Sequence, residues 1–198
     1  MAVGRKVDGR NGIRLNEGQS MSGRVGNGRI GSLPMIRDKD NHSCERYRSK
    51  FKRDALKAHN KYRAQHGAPA LKLDGRMNKY AQDWADKCAK KAQLSHRTEH
   101  KYGENIHYAY DSTGIESITG EKASKAFYDE IQRYNFGNAG FSSGTGHFTQ
   151  LVWKKSRRLG IGVAVNPKNK NQVFSVFNYD PPGNVQGDYK DNVLQKKR

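Results

Sequence analysis

Apolar positions recur at three- and four-residue spacing in three stretches of the chain, then close up into short continuous runs near its end. In residues 44–67, Tyr47, Phe51, Ala55, Ala58 and Tyr62 fall on one helical face, and Gly67 and Pro69 close the helix. A second helix is predicted over 74–94, with Asp74 as its cap and Met77, Tyr80, Ala81, Trp84, Cys88 and Ala92 turned inward. A third spans 119–135, with Ala123, Ala126, Phe127, Ile131 and Tyr134 on its stripe. The glycine-rich loop 136–146 then delivers His147. After it the period changes. Leu159–Val165 and Val173–Tyr179 are β-type runs that predict an antiparallel hairpin with a long polar loop, and Pro181-Pro182-Gly183-Asn184 ends the second strand. Helices first, strands later and no βαβ alternation predict an α+β domain with helices packed on a small sheet.

Residues 1–43 stand apart. They contain no Phe, Trp or Tyr, many glycines and scattered arginines, so the expectation is a disordered basic extension ahead of a domain over 44–198. Gly26–Gly31 fits a G-x-G-x-x-G pattern, but no strand precedes it and no helix follows, so the match is chance. The formal net charge of +18 favours contact with phosphates, of nucleic acid or of anionic lipid. The chain starts Met1-Ala2 without an apolar stretch, so neither a signal peptide nor an N-myristoyl glycine is expected. No window reaches 18 apolar residues. The two cysteines, Cys44 and Cys88, read as free thiols, with Cys88 in the core.

Two carboxylates and two imidazoles sit near element ends. Glu130 lies on the apolar stripe of the third helix, so it is either a boundary position that reaches water or a buried carboxylate in need of a partner. Glu104 follows Gly103, where a tight backbone turn can aim it, and His96 closely follows the second helix. With His147 this set suits a divalent cation, or equally a hydrogen-bonded network without one. His59 and Asn60 are expected to pack and hydrogen-bond at the end of the first helix. No H-E-x-x-H and no G-x-S-x-G occurs, which argues against a zinc protease and a serine hydrolase.

Residues 59–74 (HNKYRAQHGAPALKLD), 102–106 (YGENI), 144–156 (GTGHFTQLVWKKS) and 179–184 (YDPPGN) together resemble the CAP superfamily of cysteine-rich secretory, antigen 5 and pathogenesis-related 1 proteins. The likeness covers roughly residues 46–194 and is closest to the Golgi-associated pathogenesis-related branch. It implies a three-layer α-β-α sandwich with a central groove lined by His96, Glu104, Glu130 and His147. His147 then faces the groove, while Phe148, Leu151 and Trp153 hold its segment down. Secreted members carry a cysteine where this chain has Phe177, so their disulfide is missing.

The resemblance further implies a non-enzymatic protein that binds sterol or acidic phospholipid, with His96 and His147 able to hold a divalent metal, zinc foremost. Membrane contact would rest on the extension and on Lys154, Lys155, Arg157, Arg158, Lys196, Lys197 and Arg198. The expected location is cytoplasmic and peripheral on Golgi or other internal membranes, with export by a route lacking a signal peptide as the alternative. A homodimer is allowed. Two rival readings stand beside this one. The first is a metal-dependent hydrolase using the same four residues. The second is an electrostatic nucleic-acid binder acting through the extension, with no aromatic platform for specific recognition.

Overall fold

The computed structural model describes residues 38–197, with side chains from 42 onward. The expectations for residues 1–37, including the Gly26–Gly31 pattern, and for Arg198 lie outside the described residues. Along the chain run α1 (Asp38–Gln65), β1 (Lys72–Leu73), α2 (Gly75–Lys91), β2 (Gly103–Tyr110), α3 (Gly120–Asp129), α4 (Gly146–Val152), β3 (Arg158–Val165), β4 (Gln172–Asp180) and α5 (Tyr189–Asn192). The strands form one sheet in the order β1-β3-β4-β2. β1 pairs parallel to β3, and the other pairings are antiparallel.

Alternation along β3 and β4 supplies both faces of this sheet. Ile161, Val163, Val173 and Phe177 turn to one side, where Phe51, Ala55, Phe127, Phe148 and Leu151 of α1, α3 and α4 complete a core. Ala164, Phe174 and Val176 turn to the other, against Ala81, Ala85, Cys88 and Ala89 of α2. The result is helices, sheet, helix: the expected three layers. α2 lies very close to β3 because Gly160 and Gly162 leave room. A Cβ on Gly162 would stand 2.3 Å from the Ala81 carbonyl carbon, and one on Gly160 would stand 2.4 Å from that of Met77.

That closeness also protects an edge. Among the described residues, β3 has no strand on its outer side beyond the two-residue β1. Asn78 Oδ1 accepts the Ile161 N–H at 2.8 Å instead, and Gln82 takes both the N–H and the C=O of Val163. Two polar side chains of α2 thus satisfy backbone groups that would otherwise be open to another chain.

Several elements differ from the periodicity. α1 starts at Asp38, ahead of the expected boundary at Cys44. Ala92 is exposed and caps α2 in a left-handed conformation (φ 52°), so Ala85 and Ala89 fill the inward places instead. α3 ends at Asp129 and passes into a 3-10 turn over Glu130–Arg133, which leaves Ala126 exposed and buries Ser124. β2 was not expected at all. Its polar Glu104, Asn105 and His107 hide the alternation, and pairing with β4 is what makes it a strand.

Candidate functional site: two histidine–glutamate pairs beside the edge strand

β2 is the sheet's outer strand, and its first residues carry one half of the site. Glu104 Oε1 lies 2.9 Å from His96 Nδ1 and also accepts the Arg97 backbone N–H at 3.0 Å, while Oε2 accepts from Asn178 Nδ2 at 3.3 Å. The loop bearing His96 is pinned to α2. The Arg97 guanidinium stacks 3.8 Å from the Tyr80 ring centre, donates to the Tyr80 carbonyl and pairs with Asp83. Trp84 Nε1 donates to the Ser95 carbonyl at 2.7 Å. Tyr80 and Trp84 therefore serve the loop more than the core. The Glu104 side chain is only 10% exposed, but His96 is 57% exposed.

The second pair joins α4 to the end of α3. Glu130 Oε1 lies 2.7 Å from His147 Nδ1, and Oε2 accepts the backbone N–H groups of His147 and Phe148 at 2.9 and 3.1 Å. The carboxylate on the third stripe has found its partner. Burial pushes the Glu130 carboxyl up, but the His147 ring and the two N–H groups outweigh it, and the group rests below the ordinary carboxylate value. The His147 ring lies flat on Phe127, with centres 5.0 Å apart, and Phe148, Leu151 and Trp153 behind it are fully buried.

The pairs are connected through consecutive residues of β2. Next to Glu104, Asn105 points to the opposite face, where Nδ2 donates to the His147 carbonyl at 3.0 Å and to the Tyr179 hydroxyl. Tyr179 in turn contacts His59 Nε2 at 2.8 Å, and His59 Nδ1 lies 2.9 Å from both the Ala55 carbonyl and Ser124 Oγ. His59 thus packs and hydrogen-bonds, with burial driving its pKa down to about 3. Asn60 clasps the N–H and C=O of Leu71.

Two contributors escaped the sequence reading. Arg63 is fully buried and donates to the carbonyls of Pro69, Leu151, Trp153 and Ser156 at 2.8 to 2.9 Å. It binds the C-terminal end of the short helix that carries His147, where carbonyls lack helical partners. Burial lowers its pKa to about 10, so it remains a cation at neutral pH. His107 sits two residues beyond Asn105 on the same side of β2, edge-on to Phe127, with a buried Nδ1 that lacks a hydrogen-bond partner. Burial, and then the nearby His147, press its pKa down to about 4. Only the alternation of β2, had it been legible, would have pointed to it.

In both pairs the imidazole Nδ1 is engaged by glutamate. That orientation leaves Nε2 as the ligating atom and makes Glu104 and Glu130 the groups behind the ligands. Among the described residues no three His, Cys, Asp or Glu side chains form a group that could hold a metal ion. The surface cations differ among themselves. Lys155 pairs with Asp188 at 2.8 Å, Arg158 with Asp180 and Asp74, and the Arg157 guanidinium folds onto the Lys154 carbonyl. Lys154, Lys196 and Lys197 are exposed. Cys44 and Cys88 are both free thiols, and Cys88 is buried. Among the described residues no helix is long and apolar enough to cross a membrane.

A four-stranded sheet lies between helical layers, as in the solved structures of this class of fold. The chain belongs to the CAP family, the cysteine-rich secretory protein family, whose profile matches residues 56–179. It is 41% identical over 154 residues to the human Golgi-associated plant pathogenesis-related protein 1, covering 75% of this chain and 95% of that one. To pathogenesis-related protein 1A of Nicotiana tabacum it is 37% identical over 149 residues, covering 74% of this chain and 83% of the other. Among solved structures, the crystal structure of NaASP2 with Zn2+ superposes with a TM-score of 0.57 at 25% identity, covering 75% of this chain and 87% of that one.

Proposed function

We propose that this CAP-domain protein works by binding rather than by turnover. In this reading it takes anionic or sterol-containing membrane as its partner, associates with it peripherally on Golgi or other internal membranes, and holds a divalent ion, zinc foremost, between His96 and His147. The observation that carries the metal part is the fixed ring orientation: each Nδ1 is tied to a largely buried glutamate, and each Nε2 has no hydrogen-bond partner among the described residues. Neutral imidazole is a good ligand for zinc, and a carboxylate on the far nitrogen raises its basicity. The membrane part is supported by the net charge of +18 and by likeness to a protein named for its Golgi association.

The test has two arms on the full chain. Flotation with neutral, anionic and sterol-containing vesicles, at low and physiological salt, should show salt-sensitive binding to the anionic ones. No binding to any vesicle removes the membrane part. Zinc titration by calorimetry should show uptake that the His96→Ala/His147→Ala double variant loses. Equal uptake by that variant removes the metal part.

A further inference from the structure

From Lys50 to Ala64, the exposed positions of α1 are Lys50, Arg53, Lys57, Lys61 and Ala64. Four of those five are cations, and exposed Arg46 extends the series at its N-terminal end. Steps of four, three, four and four residues from Arg46 keep all five cations within one narrow stripe of the helix. The stripe runs along the flank of the helix, about 120° round from the apolar face of Phe51, Ala55 and Ala58, and is about 22 Å long at 1.5 Å per residue. Lys50 is the one member with an ion pair, to Asp54 at 2.5 Å. Arg46, Arg53, Lys57 and Lys61 have no hydrogen bond or ion pair to any described side chain.

The cations after α4 are in a different state. Lys155 and Arg158 already have carboxylate partners that offset much of their charge locally, while Arg157 is folded onto neutral backbone carbonyls. A straight, mostly unpaired row of charge presents a stronger field to an extended anionic surface than a row whose charges are spent on neighbours. A second feature selects lipid over nucleic acid. Along residues 43–54 of α1 lies a cavity of about 630 Å³ whose apolar wall includes Tyr47, Phe51, Ile115, Ile118 and Val165; Arg46 and Lys50 also line it, as do the carboxylates Asp54 and Glu116. Phosphodiester backbone has no use for such a wall, whereas a lipid presents an anionic head and an apolar tail together.

We propose that the cationic edge of α1 is the surface this protein lays on an anionic lipid bilayer. The inference rests on the membrane reading above and names the face that carries it. It shifts the contact from the segment around Lys154–Arg158 to a helix on the same side of the sheet as α3. Screening by salt should weaken it, since the charges are exposed.

The experiment compares three full-length proteins on vesicles of pure phosphatidylcholine and of phosphatidylcholine with phosphatidylserine. They are the unaltered chain, R53E/K57E/K61E, and K154E/K196E/K197E. All the altered residues are exposed, and a circular-dichroism melt checks that each variant folds; R53Q/K57Q/K61Q replaces the first variant if reversal perturbs α1. The expected result is binding to the phosphatidylserine vesicles that falls tenfold or more in the α1 variant and less than threefold in the other. If the α1 variant binds like the unaltered chain, the surface is wrong while the membrane reading stands. If the unaltered chain binds no vesicle, both fall. Duplex DNA is the competing probe. Loss of DNA binding by the α1 variant, with vesicle binding unchanged, would assign the stripe to nucleic acid and overturn the proposal.

Discussion

Glu130 holds His147 at two points: one carboxylate oxygen is 2.7 Å from the ring Nδ1, and the other accepts the backbone N–H of the same residue at 2.9 Å. Ring and backbone are thereby fixed together, so the orientation of the imidazole is set before any ligand arrives. Glu104 does the same for the other ring more loosely, binding His96 Nδ1 and the N–H of the next residue.

From this pairing comes a prediction about zinc. Glu104→Gln and Glu130→Gln should each weaken zinc affinity by roughly 10- to 100-fold while leaving both histidines in place, the usual effect of losing the group behind a ligand. Calorimetric titration of each variant measures it, and an affinity unchanged in both would show that the glutamates only hold the fold.

Glu130 should also matter to stability. Its carboxylate accepts two backbone N–H bonds besides the ring contact, and bonds to a charged group contribute about 1.5–3 kcal/mol each at most. Glu130→Ala should lower the unfolding free energy by about 2–3 kcal/mol in urea, and Glu130→Gln by visibly less.

Arg63 has no carboxylate partner among the described residues and spends its donors on four carbonyls. Arg63→Met leaves those carbonyls buried and unpaired, so a loss of about 3–5 kcal/mol is expected. The His147 ring signal in NMR should shift with it, because α4 loses its anchor. A variant that unfolds at the same urea concentration as the parent would contradict this.

Acid should destabilise the protein below about pH 6.5. Burial holds His59 to about 3 and His107 to about 4, against an ordinary value near 6.5. Between those values the unfolded chain binds more protons than the folded one, so stability present above pH 6.5 is lost as pH falls. Each imidazole contributes ~2 kcal/mol of that loss between pH 7 and 5. His107→Phe should flatten the stability profile across this range, read from urea midpoints at successive pH values.

Gly162→Ala tests the packing of α2 on β3. Its Cβ would meet backbone atoms of Ala81 and Gln82 at 2.3 to 2.4 Å, and no side chain can swing away to relieve it. A loss of about 1–3 kcal/mol is expected. Gly75→Ala, where nothing lies within 4 Å, should be near neutral by the same thermal melt.

Local chemistry along the chain was enough to place much of this architecture. The stripes of Phe51, Ala55 and Ala58, and of Met77 and Ala81, gave their helices because a 3.6-residue period survives wherever one face is buried. Asp74 does cap α2, accepting the N–H groups of Arg76 and Met77. The runs Leu159–Val165 and Val173–Tyr179 are continuous because β3 and β4 are covered on both faces. His96, Glu104, Glu130 and His147 were legible as polar residues at element ends and as a family pattern. Phe177 is fully buried and stacks on His59.

What the one-dimensional pattern could not hold was partnership. β2 is a strand because β4 lies beside it, and no period in Gly103–Tyr110 reports a neighbour some seventy positions away. The Glu130 carboxylate just past α3 takes the N–H groups of His147 and Phe148, partners at the other end of the glycine-rich loop. Arg63 reads as one more basic residue until the carbonyls around α4 close on it. The spacing of Arg46, Lys50, Arg53, Lys57 and Lys61 along α1 can be read in the sequence. That their charge is largely unspent while that of Lys155 and Arg158 is not depends on where the acidic side chains fall in space, and only the folded chain decides that.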